Sequence, residues 1–70
     1  MAEIRAEMVA NVWKVLVSEG DQVGEGDTLV ILESMKMEIP VLAESPGIVT
    51  KLHVAEGDVV QEDELIAEIG

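Results

Sequence analysis

Apolar residues fall along this chain in short runs set off by Gly-Asp punctuation. Val12-Trp13-Lys14-Val15-Leu16-Val17 reads as one strand, Leu29–Leu32 as a buried strand, and Ile39–Ala43 as a further strand. Between them stand Glu19-Gly20-Asp21 and Gly24-Glu25-Gly26-Asp27, turns in which Gly takes positive φ and Asp hydrogen-bonds nearby backbone. The abundance of β-branched and aliphatic residues favours a compact all-β unit of short strands over a helical one.

The runs repeat. A shift of 37 residues lays Met8–Glu33 over Ser45–Gly70 without a gap. Val12–Val17 then overlies Val49–Val54, Glu19-Gly20-Asp21 overlies Glu56-Gly57-Asp58, and Leu29 and Leu32 meet Ile66 and Ile69. Gln61 and Asp63 stand where the first half has Gly24 and Gly26, so the second-half turns are expected to use other geometries. The expected fold is a flattened β-sandwich of two small antiparallel sheets with an internal pseudo-twofold. The expected organisation is one domain over residues 1–70, with halves 8–33 and 45–70 and a link over 34–44. Pro40 within the link strand implies a sheet edge or a bulge.

Composition narrows the function. At 70 residues the chain is near the lower limit for an unaided core, and it holds no Cys, no Phe and no Tyr. Disulfides and thiolate metal sites are excluded, and His53, the single histidine, has no partner for a metal and reads as structural or surface. Fifteen acidic residues against four basic ones give a formal charge of −11, which argues against nucleic acid and anionic membrane as partners. The N-terminal residues lack the apolar core of a secretory signal, and no run is long enough to span a bilayer. A cytoplasmic monomer is expected. No Ser/His/Asp arrangement stands out, so no catalytic residues are assigned, and the protein is expected not to be an enzyme. The Gly-Asp pairs lack the basic residue or helix start that phosphate binding needs. Trp13, aligned with Thr50, reads as half-exposed, either a partner contact or a cover for the sheet.

One stretch breaks the turn chemistry obeyed elsewhere. Glu33-Ser34-Met35-Lys36-Met37-Glu38 joins two strand-like runs where a tight hairpin asks for Asn-Gly or Asp-Gly, and its lysine has no counterpart in the second half. A local rule broken once marks a candidate functional site. Met35 and Met37 admit two roles, closing the end of the core as flexible fillers or being read by a partner.

This hexapeptide resembles the attachment motif of biotinyl domains, usually Glu-Ala-Met-Lys-Met. The flanks are similar too: Gly20-Asp21, Val23, Gly26-Asp27 and Leu29 before it, Ala43 and Gly47-Ile48-Val49 after it. The similarity runs from about Arg5 to Ile69 and is nearest in kind to free-standing biotin/lipoyl attachment domains. Two departures stand out: Ser34 replaces the commoner Ala, and Glu7-Met8-Val9-Ala10 occupies a place where many relatives have Pro-Met-Pro-Gly. The segment Val17–Gly20 is too short for the protruding thumb of some carriers, so a thumbless barrel-sandwich hybrid is implied.

The resemblance implies covalent biotin in amide linkage to Lys36. It also implies recognition by a biotin protein ligase through Met35 and Met37, with Glu33, Ser34 and Glu38 as motif context. Biotin carboxylase and carboxyltransferase components acting in trans would use the loaded carrier. A free lysine amine has a pKa of about 10.4, so the ligase must supply deprotonation and positioning. Two other functions share these residues. A lipoyl carrier would use the same scaffold, although lipoyl tips generally read Asp-Lys-Ala, and an unmodified module could act as a decoy for the ligase.

Overall fold

The computed structural model describes residues 2–70, which form eight strands and no helix. In chain order they are β1 (Ala2–Arg5), β2 (Ala10–Val15), β3 (Gln22–Val23) and β4 (Thr28–Ser34). Then come β5 (Met37–Leu42), β6 (Gly47–Leu52), β7 (Val59–Val60) and β8 (Leu65–Ile69). They pair in two antiparallel four-stranded sheets, β1-β8-β6-β3 and β5-β4-β2-β7. Among the described residues no helix is long and apolar enough to cross a membrane.

The 37-residue offset visible in the sequence also relates the hydrogen bonds. Gly20 N–H donates to Val49 O at 2.7 Å, and Gly57 N–H donates to Val12 O at 2.9 Å. Val49 N–H returns to Asp21 O, and Val12 N–H to Asp58 O. Each residue of the repeated Glu-Gly-Asp has its own task. The glycines hold φ of 94° and 95°, a region L side chains avoid. The aspartates close their own turns, Asp21 accepting from Ser18 N–H and Asp58 from Ala55 N–H at 2.9 Å each. The glutamates reach the opposite sheet, Glu19 accepting from Leu52 N–H and Glu56 from Val15 N–H. The turns thus knit one sheet to the other, a role for the two glutamates that strand patterning does not reveal.

The second pair of turns corrects one expectation. Asp63 stands where Gly26 would, yet it takes φ of 70° beside 87° for Gly26, and its N–H reaches Ala6 O as that of Gly26 reaches Ala43 O. The geometry is retained because the backbone ladder demands it. Asp is among the few L residues that tolerate the left-handed region. Gly26→Val should therefore cost about 1–2 kcal/mol in a urea melt, and Gly26→Asp distinctly less.

Inside, the two halves match. Val12 with Val49, Leu29 with Ile66, Leu32 with Ile69 and Val23 with Val60 are buried pairs on the facing surfaces of the sheets. This core has no buried polar side chain among the described residues. The expected link is itself structural, since Ile39–Leu42 in β5 occupies the place that Ala2–Arg5, a strand the hydrophobic pattern did not flag, has in the other sheet. β5 is an edge strand. Its Ser34–Met37 closure makes Leu32–Ile39 a hydrogen-bonded pair and Ile31–Pro40 a non-hydrogen-bonded one, so the Pro40 nitrogen faces away from β4 and no ladder bond is lost.

Candidate functional site

Lys36 sits on the tip of the β4–β5 hairpin. The register runs Leu32–Ile39, Glu33–Glu38, Ser34–Met37, leaving Met35 and Lys36 as a two-residue loop. Both have positive φ, 52° and 64°. This is the pattern of a type I′ turn, whose twist suits the flanking strands and which normally recruits Asn-Gly. Neither methionine nor lysine prefers that region. The strands enforce it because their register is fixed by buried Leu29, Val30 and Leu32 on β4. Met35→Asn should accordingly raise stability by about 0.5–1 kcal/mol, measured by urea unfolding, since Asn accepts this backbone geometry more readily.

The tip projects away from the body. Met35 is 92% exposed and Met37 65%, so the core-filling role open to them on sequence alone is not the one they have. Lys36 is exposed too, and no ion pair among the described residues involves it. Glu33 and Glu38, exposed, stand directly opposite each other at the base of the tip, and Asn11 on β2 continues the row. Two like charges placed opposite one another disfavour the hairpin, so folding gives no reason for the pair. Ser34 is half-buried beneath the loop, where a small side chain suffices.

The Ala2–Ile69 pair lies at the far end of the sandwich from the tip. β2 runs from Asn11 beside Glu33 to Leu16, whose N–H donates to Leu29 O. The turn that follows bonds Val49, which pairs with Ile69. By the pseudo-twofold, Ala2 and Ile69 hold the positions that Ile39 and Leu32 hold beneath the tip. The lysine hairpin thus stands at the place that corresponds, in the other sheet, to the Ala2–Ile69 pair.

The remaining candidates do not converge on Lys36. His53 Nε2 lies 2.8 Å from Glu68 Oε2, a surface contact on the opposite sheet. Trp13 occupies a bulge between Val12 and Lys14, half-exposed, with Lys14 Nζ 5.4 Å from the ring centroid. The same bulge recurs at Thr50, between Val49 and Lys51. An open groove of about 630 Å³ runs beside β5, lined by residues including Met8, Ile39, Pro40 and Leu42 but not by Lys36. Among the described residues no cluster of His, Cys, Asp and Glu has the form of a metal site. The candidate site is therefore an exposed primary amine on a tip held in left-handed backbone geometry. Its fit to a covalently attached acyl group is that of a reachable nucleophile on a hairpin whose register the core fixes.

Comparison with known proteins agrees with this geometry. Residues 2–69 match the family model described as biotin-requiring enzyme. A biotinylated protein TB7.3 homolog from Mycobacterium leprae is 66% identical over 70 residues, covering 99% of both chains. Among solved structures, Kluyveromyces lactis urea carboxylase superimposes with a TM-score of 0.91 at 35% identity, over 99% of this chain and 6% of that one. The lipoyl domain of the 2-oxoglutarate dehydrogenase complex of Azotobacter vinelandii superimposes at 0.86 and 25% identity, over 100% of this chain and 96% of that domain. The chain belongs to the biotin/lipoyl attachment family of biotin-requiring enzymes.

Proposed function

We propose that this protein is a biotin carrier in which Lys36 is the attachment residue. The observation that carries the reading is the placement of Met35-Lys36-Met37: an exposed amine between two exposed methionines, on a turn held in left-handed geometry by the core. A biotin protein ligase would activate the biotin carboxyl with ATP as an acyl-adenylate. The Lys36 amine, deprotonated within the ligase, attacks the acyl carbon; the amide C–N bond forms and the acyl–oxygen bond to AMP breaks. Loss of the lysine charge takes the formal total from −11 to −12. Attached there, biotin supplies a ring nitrogen that takes up and yields carboxylate.

This chain contributes position and reach, and partner enzymes contribute the catalytic groups. Carboxylase and carboxyltransferase components fit as those partners because the same fold forms a small segment of urea carboxylase. A monomer in the cytoplasm, where ATP and ligase meet it, completes the reading. The lipoyl alternative has the weaker support: a lipoyl domain shares the fold, while the 66% identical relative is a biotinylated protein. Intact-mass measurement after incubation with biotin, ATP and ligase, and in parallel with lipoate and a lipoyl-attaching ligase, decides between them. A single biotin adduct is expected. A lipoyl adduct alone would transfer the assignment to the second reading, and a folded protein taking neither under active ligase would favour the decoy.

A further inference from the structure

The duplication provides an internal control for the outer surfaces. Two sheets of the same architecture have to satisfy the same folding demands, so a systematic difference between their outer faces reflects something other than folding. On the inner faces the equivalent positions are apolar in both halves. On the outer faces they diverge. Trp13, Ile31 and Pro40 form one row across β2, β4 and β5, since Ile31 pairs with Pro40 and lies opposite the Trp13–Lys14 bulge. Their equivalents on the other sheet are Thr50, Glu68 and Glu3, again a row, with Glu3 pairing Glu68 opposite the bulge at Thr50.

Leu16 and Leu42 extend the apolar row where His53 and Arg5 stand on the other side. Those polar residues are satisfied among themselves: His53 contacts Glu68, Thr50 Oγ1 donates to Glu68 O, and Arg5 donates to Glu3 at 2.8 Å. The Glu3 hydrogen bond raises the Arg5 pKa above its ordinary value. One sheet has a closed polar surface at these five places, and the other has five apolar side chains. Two positions run the other way: Ile48, the equivalent of Asn11, which lies beside Gly70, and half-buried Leu65, the equivalent of Thr28, which pairs with Arg5. Trp13, Leu16 and Leu42 are 42%, 53% and 45% exposed. The apolar row lies near the tip, one outer-face row below Glu33 and Glu38, which are themselves one pair below the Ser34–Met37 closure.

We propose that the outer face of β5-β4-β2, centred on Trp13, Ile31 and Pro40, is the docking surface for the biotin protein ligase. The proposal rests on the carrier reading above and adds the partner's footprint. Two arguments commit it to the ligase. First, the atom acylated is Lys36 Nζ, only four methylenes from the tip backbone, so the ligase surface must lie against this end of the sandwich. An enzyme using the attached biotin reaches it a whole acyl chain farther out, and need not touch the sheet. Second, charge disfavours a second copy: Glu33 and Glu38, unpaired among the described residues, border the row, and a like-charged chain of −11 would repel them. The fitting partner offers an apolar ridge flanked by basic side chains that meet Glu33 and Glu38.

The test transplants one face onto the other. Trp13→Thr combined with Ile31→Glu gives the tip sheet residues that the opposite sheet already tolerates, and Trp13→Thr alone is the milder form. Both are compared with the reciprocal Thr50→Trp/Glu68→Ile protein in steady-state biotinylation by purified ligase with biotin and ATP, folding being checked by circular dichroism. The double variant should raise the KM for the carrier about tenfold or more with kcat within about threefold, Trp13→Thr should move KM in the same direction, and the reciprocal protein should behave as wild type. An unchanged KM in folded Trp13→Thr and double variants, with wild type fully biotinylated, overturns the docking surface while leaving the carrier function standing. A fall in kcat alone also overturns it. So does an unchanged KM accompanied by weakened binding of the biotinylated variant to a carboxylase component, which would assign the face to that enzyme. Failure of wild type itself to accept biotin would instead overturn the carrier reading.

Discussion

Lys36→Arg should give a folded protein that acquires no biotin mass under conditions that convert the wild type completely. Arginine keeps the positive charge and the length of the side chain, and it replaces one non-glycine residue at φ 64° with another, so the turn is little disturbed. What it removes is the acylatable amine: the guanidinium remains protonated at any working pH. The other lysines, Lys14 and Lys51, lie along strands β2 and β6, where neither a two-residue tip nor flanking methionines present them. Intact mass with peptide mapping is the measurement. Biotin found on Lys14 or Lys51, or retained by the Lys36→Arg protein, would remove Lys36 from the role assigned to it.

Leu29→Ala should unfold most of the population at room temperature. Leu29 is fully buried, and Leu-to-Ala truncation in a core costs about 2–5 kcal/mol. A domain of this size rarely has more than about 3–5 kcal/mol in total. Ile66→Ala, at the equivalent place in the other half, should behave alike, whereas Ile66→Val should cost about 0.5–1.5 kcal/mol and leave a folded protein. Thermal and urea unfolding followed by circular dichroism measure all three. The same variants bear on the site. The Met35-Lys36 turn is held by the register of β4, so the Leu29→Ala protein should be a poor ligase substrate although its hexapeptide is intact. Modification of the unfolded variant at the wild-type rate would show that the linear motif is enough.

The polar surfaces invite a simpler reading in which 15 acidic residues serve solubility alone. Several of them have local work. Glu19 and Glu56 tie the sheets together, Asp21, Asp27 and Asp58 close turns, and Glu68 holds His53. Glu33 and Glu38 have no such bond among the described residues, and they are the two nearest the attachment tip. Glu7, Glu25, Glu44, Glu62 and the Asp63 carboxylate are likewise without a side-chain bond among the described residues and lie outside the β4–β5 hairpin, so the tip holds only part of the charge that folding leaves unused.

Much of this was legible along the chain. The 37-residue offset, the strand-and-turn alternation, the edge position of Pro40 and the isolation of Lys36 all follow from residue order. They are readable because they rest on local physics: side-chain alternation, glycine at positive φ, proline without an N–H. β1 was not legible, because a four-residue strand with two charged residues has no pattern strong enough to stand out. The Asp63 turn was misjudged for the opposite reason. Gln61 and Asp63 carry weak local preferences, and the ladder bond from Asp63 N–H to Ala6 O, fifty-seven residues back along the chain, overrides them.

The sequence by itself determined that this chain is a duplicated all-β unit with one tip, carrying a lysine between methionines, that breaks the turn chemistry obeyed elsewhere, because spacing and residue type suffice for such statements. Only the tertiary structure decided what lies beside that tip. It turned Met35 and Met37 outward, bent Met35 and Lys36 into the left-handed region, and set Glu33 against Glu38. It also brought Trp13, Ile31 and Pro40, from three separate strands, into one exposed row. Cross-strand neighbours are chosen by register, and register is set by how two distant halves share one core.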